Sequence, residues 1–474
     1  MRIMMETAAW AEEQFRGVDL GDRRRTSRLV SIASSVARSP AGTVTSVFDN
    51  DADRQGTYDF LESPHVKSAA LERGAGEAVA ARCAKEPRVF VAVDGSSLTF
   101  VDRTGERGLG AVGTYAAGAV GLKVITALAL STEGVPLGPV CQVMWRRPAQ
   151  RPTNRRPAKK RPVDKKETKH WLEAVATTKE RMSPDHTPIT YLVDREGDSA
   201  AMLCALLATK EEFIVRGNWD RMAEATDGRQ RTIRDHLKYA KILGAYELEL
   251  TAKPGRTART ASVTLRAVDI VLTLKDPANG KTVRIKLSAV NAREMGTCPH
   301  GEDPVDWLLL TNRSVSTLKA ARAVVLGYTL RWRIEEFHKS WKSGHCNVED
   351  SQLRSEEAIR KWALVLAAVA SRVERLKLLA RKNPTLPADL EFSEVELHAL
   401  ILLKRRSKKK NENIPDSVPS IHQATLWLAE LGGYTGASSG GPPGTITISR
   451  GLAKVRAAAD AIAAFLAKDD GENG

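Results

Sequence analysis

The sequence predicts an α/β protein, a mixed-sheet core held between two helical regions. Three observations carry that prediction. Short apolar runs bounded by turn residues recur between residues 88 and 217 and alternate with helical segments. A block of alternating β segments fills residues 218–305. Helical periodicity governs residues 1–70 and the C-terminal third. At 474 residues the chain is long enough for about two to four domains with substantial cores.

At the N-terminal end, LGDRRRTSRLVSIASSVA (20–37) places Leu29, Val30, Ile32, Ala33, Val36 and Ala37 behind the basic run Arg23, Arg24, Arg25 and Arg28. A basic helix followed by GTYDFLESP suits a helical DNA-binding head. It suits equally a helical cap with a solvated basic face. From residue 88 the period changes: RVFVAVDGSSLTF, AVGLKVITALAL and VPLGPVCQVMW read as three consecutive strands, the first ending in Asp94. Residues 146–169 hold eleven Lys/Arg, two acids and four prolines, which predicts a flexible basic loop. A helix (HWLEAVATTKERM), a strand ending at Asp194 (PITYLVD), another helix and the strand EEFIVRG follow.

Residues 218–305, with YELELTA, SVTLRAVDIVLTL and VRIKLSAV, read as an all-β insertion. DWLLLTN (306–312) is one more apolar strand, and residues 314–342 return to helix. The helical C-terminal third contains a basic knot, KRRSKKK (404–410), and a Gly/Pro/Ser linker at 435–445. Its last helix places Leu452, Val455, Ile462 and Phe465 on or near one side. The predicted divisions are a helical DNA-binding domain (1–70), a catalytic core (71–380) and a helical C-terminal region (381–474).

Charge narrows the function classes. With 72 Lys+Arg against 57 Asp+Glu, the net charge is +15, which favours a polyanionic partner, nucleic acid being the commonest. No apolar run approaches a membrane span, and the N-terminus lacks a signal pattern. The five cysteines are scattered and odd in number, as expected of reduced thiols in a cytosolic protein. GLGAVG (108–113) matches a dinucleotide-binding glycine pattern, the only support for a cofactor-dependent oxidoreductase, but no good helix follows it. It reads better as a hairpin connection.

YTLRWRIEEFHKSWK (328–342) is the most informative stretch. At 100° per residue, Tyr328, Arg331, Glu335, Lys339 and Lys342 fall within an arc of roughly 80°, and Glu336 points away from it. A carboxylate flanked by a phenol, a guanidinium and two ammoniums suits a phosphodiester, the acid holding a metal and the cations the phosphates. The same spacing also suits a solvated helix with i,i+4 pairs. Asp94 and Asp194, at the ends of apolar strands, are the partners that decide between these readings. Either alone could be a turn residue, Asp94–Gly95 being a common turn pair. Three carboxylates in the order meander, helix, strand, helix, insertion, helix match a ribonuclease-H-like core able to hold two metal ions. Glu196 and Asp198, close to Asp194, compete with it as ligands.

These residues resemble a known family. YTLRWRIEEFHKSWK is similar to the Tyr–Arg–Glu–Lys signature (YxxRxxxExxxxxxK) of the IS-four-type bacterial DDE transposases, and within them to the Tn-five group. LGDRRRTSRLV, GTYDFLESPHV, VDGSSLTF, VDREGD, FIVRG and DWLLLTN agree along the chain, so the resemblance covers roughly residues 8–380. It implies a metal-binding triad of Asp94, Asp194 and Glu335. It implies DNA contacts from Tyr328, Arg331 and Lys342, with Lys339 on the same face, a base-stacking role for Trp307, and a place near the active site for Arg216. It further implies a helical C-terminal dimerisation region, although the linker TGASSGGPPGTITIS has no counterpart in the family.

The expected function is cut-and-paste transposition. Two transposon ends join in a homodimeric synaptic complex, a strand is nicked, the freed 3′-OH forms a hairpin, and the reopened end joins target DNA. Each reaction is an in-line attack at phosphorus, so one site with two Mg²⁺ ions, Mn²⁺ substituting, would serve them all. The partners would be the inverted repeats and target DNA, with no membrane, in a nucleoid-associated cytoplasmic protein. The alternatives are a non-catalytic regulator of transposition and a ribonuclease-H-like nuclease without strand transfer.

Overall fold

The computed structural model describes residues 9–472, apart from 151–160, 185–186, 251–254, 278, 409–411 and 437–440. Much of the predicted basic loop, the end of KRRSKKK and the middle of the 435–445 linker therefore lie outside the described residues. No helix among the described residues is long and apolar enough to cross a membrane.

The N-terminal end is helical: α1 (Ala9–Phe15), α2 (Arg23–Arg38), α3 (Val44–Val47), α4 (Asp51–Glu62) and α5 (Ser68–Cys83). The Asp22 side chain caps α2 by accepting from the Arg24 backbone N–H, the usual way an N-terminal orphan donor is satisfied. The six apolar residues expected to face inward on α2 are all buried, leaving Arg23 and Arg24 exposed.

The core strands are β1 (Val89–Phe100), the two-residue β2 (Gly110–Ala111), β3 (Val120–Leu130), β4 (Pro136–Trp145), β5 (Ile189–Val193) and β6 (Glu212–Arg216). Helices α6 (Thr168–Met182) and α7 (Ala200–Ala208) flank β5 in sequence. β1 pairs antiparallel with β3 and parallel with β5, and β5 runs parallel to β6. Thus β4-β3-β1-β5-β6 forms the mixed ribonuclease-H-like sheet. GLGAVG itself contains β2, which pairs antiparallel with β3, and only one 3₁₀ turn (Tyr115–Ala117) follows it, so it connects strands and offers a dinucleotide site no helix.

Two expectations for this core need correction. β1 does not end at Asp94; it pairs with β3 without a break as far as Phe100, so Asp94 sits in mid-strand. Gly95 is no turn residue either. A Cβ there would lie 3.3 Å from both Ile125 and Trp171, so close packing explains the glycine.

The insertion differs too. It holds β7 (Met222–Ala225), β8 (Gln230–Thr232), β9 (Ile242–Leu250), β10 (Arg259–Lys275) and β11 (Thr282–Glu294), but also a helix, α8 (Ile233–Tyr239). Thr232 caps α8 by accepting from Asp235 N–H, a start signal hidden by the shortness of the element. The insertion extends the core sheet. β11 pairs with β12 (Asp306–Thr311), which pairs with β6, giving one sheet of twelve strands.

Alternation along the strands supplies both core layers. Leu98, Leu122, Val124 and Leu128 pack with Ile334, Phe337, Trp341 and the N-terminal helices. Val91, Val93, Ile125 and Ala127 pack with Trp171, Met202 and Leu203 on the opposite face. The 27-residue helix α11 (Glu356–Lys382) runs behind the first layer. It ties the N-terminal helices down: Trp362 Nε1 donates to Gly42 O at 2.7 Å, and Lys361 Nζ to Leu61 O at 2.7 Å and Ser63 O at 2.9 Å.

A third core joins α12 (Glu394–Arg406), α13 (Ile421–Leu431) and α14 (Thr445–Glu472). Leu452 and Val455 are buried there, and Ile462 packs at its margin. Phe465 is 67% exposed, against expectation, because that core reaches only as far as Ile462 among the described side chains.

Candidate active site

The signature stretch is not one helix. It divides into α9 (Leu318–Thr329) and α10 (Trp332–Lys342), joined through Leu330 and Arg331. Both linking residues keep right-handed helical dihedrals, but the bonds Arg331 N–H to Tyr328 O and Ile334 N–H to Arg331 O close tighter, i to i+3 turns. The tightened turn sits at Arg331, where the helix passes the sheet.

Arg331 is buried there among acids. Its Nη1 lies 3.0 Å from Asp94 Oδ2 and 3.3 Å from Glu335 Oε1. Asp94 is 6% exposed and also accepts from the Gly95 N–H at 2.8 Å. Burial pushes the Asp94 carboxyl up to about 8. The Arg331 guanidinium opposes that rise, and Asp194 and Glu335 add to it. Burial works against the charge on Arg331, but Tyr328 and the three carboxylates outweigh it and leave its pKa raised.

Asp94, Glu335 and His338 can each offer one ligand atom, all within 4.8 Å of one another. Carboxylate oxygens and an imidazole nitrogen suit a divalent cation, and the Arg331 guanidinium is the positive charge those carboxylates hold here. These residues therefore fit a metal.

His338 escaped the sequence reading. Its signal was the Glu335-x-x-His338 spacing, which puts both on one helix face. Its Nε2 lies 3.3 Å from Thr126 Oγ1, and Thr126 is the register partner of Asp94 on β3. Burial holds the imidazole down at about 3, with Lys342 and Arg331 pushing the same way, so it is neutral near pH 7.

Asp194 follows β5 directly and caps the 3₁₀ turn Arg195–Gly197, accepting from Glu196 N–H at 2.7 Å. It acts on the charge of Asp94 yet stands outside the Asp94–Glu335–His338 group. Its two competitors separate clearly. Glu196 is exposed, whereas Asp198 is buried and committed to Asn218, Trp219 and Arg221.

The adjacent carboxylate Glu336 faces the other way, as the helix arithmetic required. It pairs with Arg333 and, at 3.3 Å, with Lys377 of α11. Burial raises its pKa, but Lys377 and Arg333 outweigh that and hold it below the usual range.

Beside the acids, Trp307, Tyr328 and Arg216 make a second cluster. The Trp307 and Tyr328 rings meet edge-on at 5.5 Å, and the Arg216 guanidinium lies 5.9 Å from the Trp307 centroid. Tyr328 is buried and its phenol is pushed up, while burial lowers Arg216. Trp307 is half-buried, with β12 pairing to β6 and β11 holding its backbone. Lys342 Nζ lies 3.7 Å from Glu349, which also accepts from Thr99 N–H on β1, and Lys339 is exposed. The five residues of the predicted arc are thus spread from a buried end to a solvent end.

A further cation, Lys123 on β3, was not singled out from sequence. Its Nζ donates to Ser97 Oγ at 3.1 Å, and burial lowers its pKa, with Arg147 and Lys342 adding to the effect.

Two family models match the chain, a transposase DNA-binding region over residues 7–66 and a transposase DDE domain over residues 121–371. The second spans Asp194 and Glu335, while Asp94 lies before its start. DDE transposases are DNA-cutting enzymes that use divalent metal ions, in keeping with the buried acid and histidine group. With more than half of its length inside that match, the chain belongs to the DDE transposases.

Proposed function

We propose that this chain is a cut-and-paste transposase of the IS-four type, allied to the Tn-five group, with Asp94, Asp194 and Glu335 as its metal-binding carboxylates. The observation that carries the reading is that Asp94 and Glu335 share one cation, Arg331, with Asp194 close enough to act on Asp94. Asp94, Asp194 and Glu335 would hold a divalent ion there, Mg²⁺ by preference or Mn²⁺ in its place, which would make the attacking oxygen more nucleophilic and offset charge on the leaving one.

The chain's own residues do the rest. Arg331 is placed to turn from the carboxylates to a phosphate. Lys342 and Lys339 extend positive charge along the same helix toward solvent, and Arg216 supplies a further cation beside Trp307. Trp307 offers an aromatic surface for a base flipped out of the duplex during hairpin formation, offsetting the cost of unstacking. The basic N-terminal helix α2 grips the inverted repeat. The C-terminal helices join two copies in the synaptic complex, with the chain divided at about residues 70 and 380. With a net charge of +15, end binding is expected to weaken steeply with salt.

The test is a denaturing gel. The protein is incubated with Mg²⁺ and labelled DNA carrying the inverted repeats that flank its gene. Nicks and hairpins at the repeat boundary, joined to target in a chase, are the expected products. Cleavage without joining would indicate a nuclease only, and tight binding without any cut strand a regulator.

A further inference from the structure

Asp198 was a competitor for the metal site, and the structure gives it another task. It lies in the turn that starts at Asp194, and its carboxylate is fully buried. Its Oδ2 accepts from Asn218 N–H at 2.6 Å and Trp219 N–H at 3.1 Å, and Arg221 pairs with it at 2.7 Å. The loop after β6 is thereby fastened to the turn that carries a candidate metal ligand.

The far side of that loop is held as well. Asp220 Oδ1 accepts from Arg234 N–H at 2.8 Å, and Ile233 N–H donates to Arg221 O at 2.9 Å. Within a segment so closely fixed, the Trp219 side chain is 60% exposed. A lone exposed apolar residue needs no explanation. An exposed indole on a backbone pinned from both sides is different, because its ring is presented at low entropic cost, which is what a stacking partner requires.

The surroundings choose the partner. Exposed Arg195 begins the turn that Asp198 ends, and Arg216, half-buried beside Trp307, lies three residues before Trp219; Arg221 is spent on Asp198. Cations beside a bare aromatic face are the elements of a single-strand nucleic-acid platform, the cations taking phosphates and the ring a base. Trp307, by contrast, is half-buried with Arg216 near its ring and Tyr328 against its edge.

We infer that Trp219 is a second stacking surface, which receives an unpaired nucleobase of the DNA strand lying across the active site, and that Asp198 is its positioning residue. This rests on the reading of the Asp94–Glu335 pair as the cleavage site.

The experiment uses the full chain without divalent metal, so that no strand is cut. Two fluorescent duplexes bear the inverted repeat with a short single-stranded tail at the boundary, one tail of normal nucleotides and one abasic. Wild type is expected to prefer the normal tail by about 5- to 150-fold, the range of base–aromatic stacking. Trp219→Ala should lower the preference at least about fivefold, Trp307 being left in place, while binding the abasic probe as wild type does, and Trp219→Phe should keep most of it. Asp198→Asn should reduce it without touching the indole. The inference is overturned if Trp219→Ala keeps the preference, if it weakens both probes equally, or if wild type shows none. Mg²⁺-dependent cleavage by wild type, measured alongside, separates the two failures. Cutting without a base preference sinks the stacking surface alone, whereas absence of cutting sinks the cleavage-site reading.

Discussion

Glu335 and Glu336 are neighbours on one helix, and their surroundings treat them oppositely. Glu336 meets Arg333 and Lys377, and its charge is held by two partners that have nothing else to gain from DNA. Glu335 shares a single guanidinium with Asp94, a carboxyl that burial pushes up to about 8. Three acids around one cation leave the site short of positive charge, while Arg333 and Lys377 answer Glu336 and Glu374 two for two and leave the other face settled. A buried charge fully matched within the chain belongs to the structure. One left under-matched is available to a ligand.

The largest effect that tests this contrast is on strand cleavage. Glu335→Gln or Asp94→Asn should lower it on the order of 10²–10⁴-fold, the loss of several kcal/mol of stabilisation of developing charge, with end binding retained in a gel shift. If Glu335→Gln cuts normally, the assignment of the two faces is wrong.

Next comes the pH dependence of the metal-free protein. Asp94 keeps its proton in the folded state up to about 8, whereas the unfolded chain releases it near 3.8. The folded state therefore binds more protons between those values. Stability from this group is complete below about 4 and is lost as pH rises through about 8. Thermal melts of Asp94→Asn should be flatter over that window, by up to several kcal/mol. Equal slopes for the variant and wild type would contradict the under-matched site.

Glu336→Gln is expected to act on stability instead. It should cost about 1–3 kcal/mol by denaturant unfolding, since Lys377 retains Glu374 and the pair is only partly buried. Cleavage per folded molecule should be unchanged. The smallest effect is at Arg38–Asp460, which joins α2 to α14 at 3.0 Å with both side chains well exposed. Arg38→Ala should change stability by about 0–1 kcal/mol and less in high salt.

What the sequence made legible follows the same division. The element order of the core, the opposite facing of Glu335 and Glu336 and the buried face of α2 came from periodicity, which is local. Contacts between distant segments were hidden. Asp94–Gly95 looked like a strand end because nothing nearby shows that Trp171 and Ile125 demand a glycine. Asp198 looked like a spare ligand because its partners lie some twenty residues on. The helix break at Leu330–Arg331 has no proline or glycine to announce it. His338 drew no reading at all, because its place among the acids depends on β1 and β3, which lie some two hundred residues away.

On the proposed reading, the metal belongs to the face of α10 bearing Glu335. The direct measurement is Mn²⁺ binding by the full-length protein, followed by electron paramagnetic resonance without DNA, for wild type, Glu335→Gln and Glu336→Gln. Glu335→Gln should weaken Mn²⁺ binding at least about tenfold, as loss of a ligand or its support does, while Glu336→Gln should bind as wild type. Undiminished binding by Glu335→Gln, or loss in Glu336→Gln alone, would contradict it.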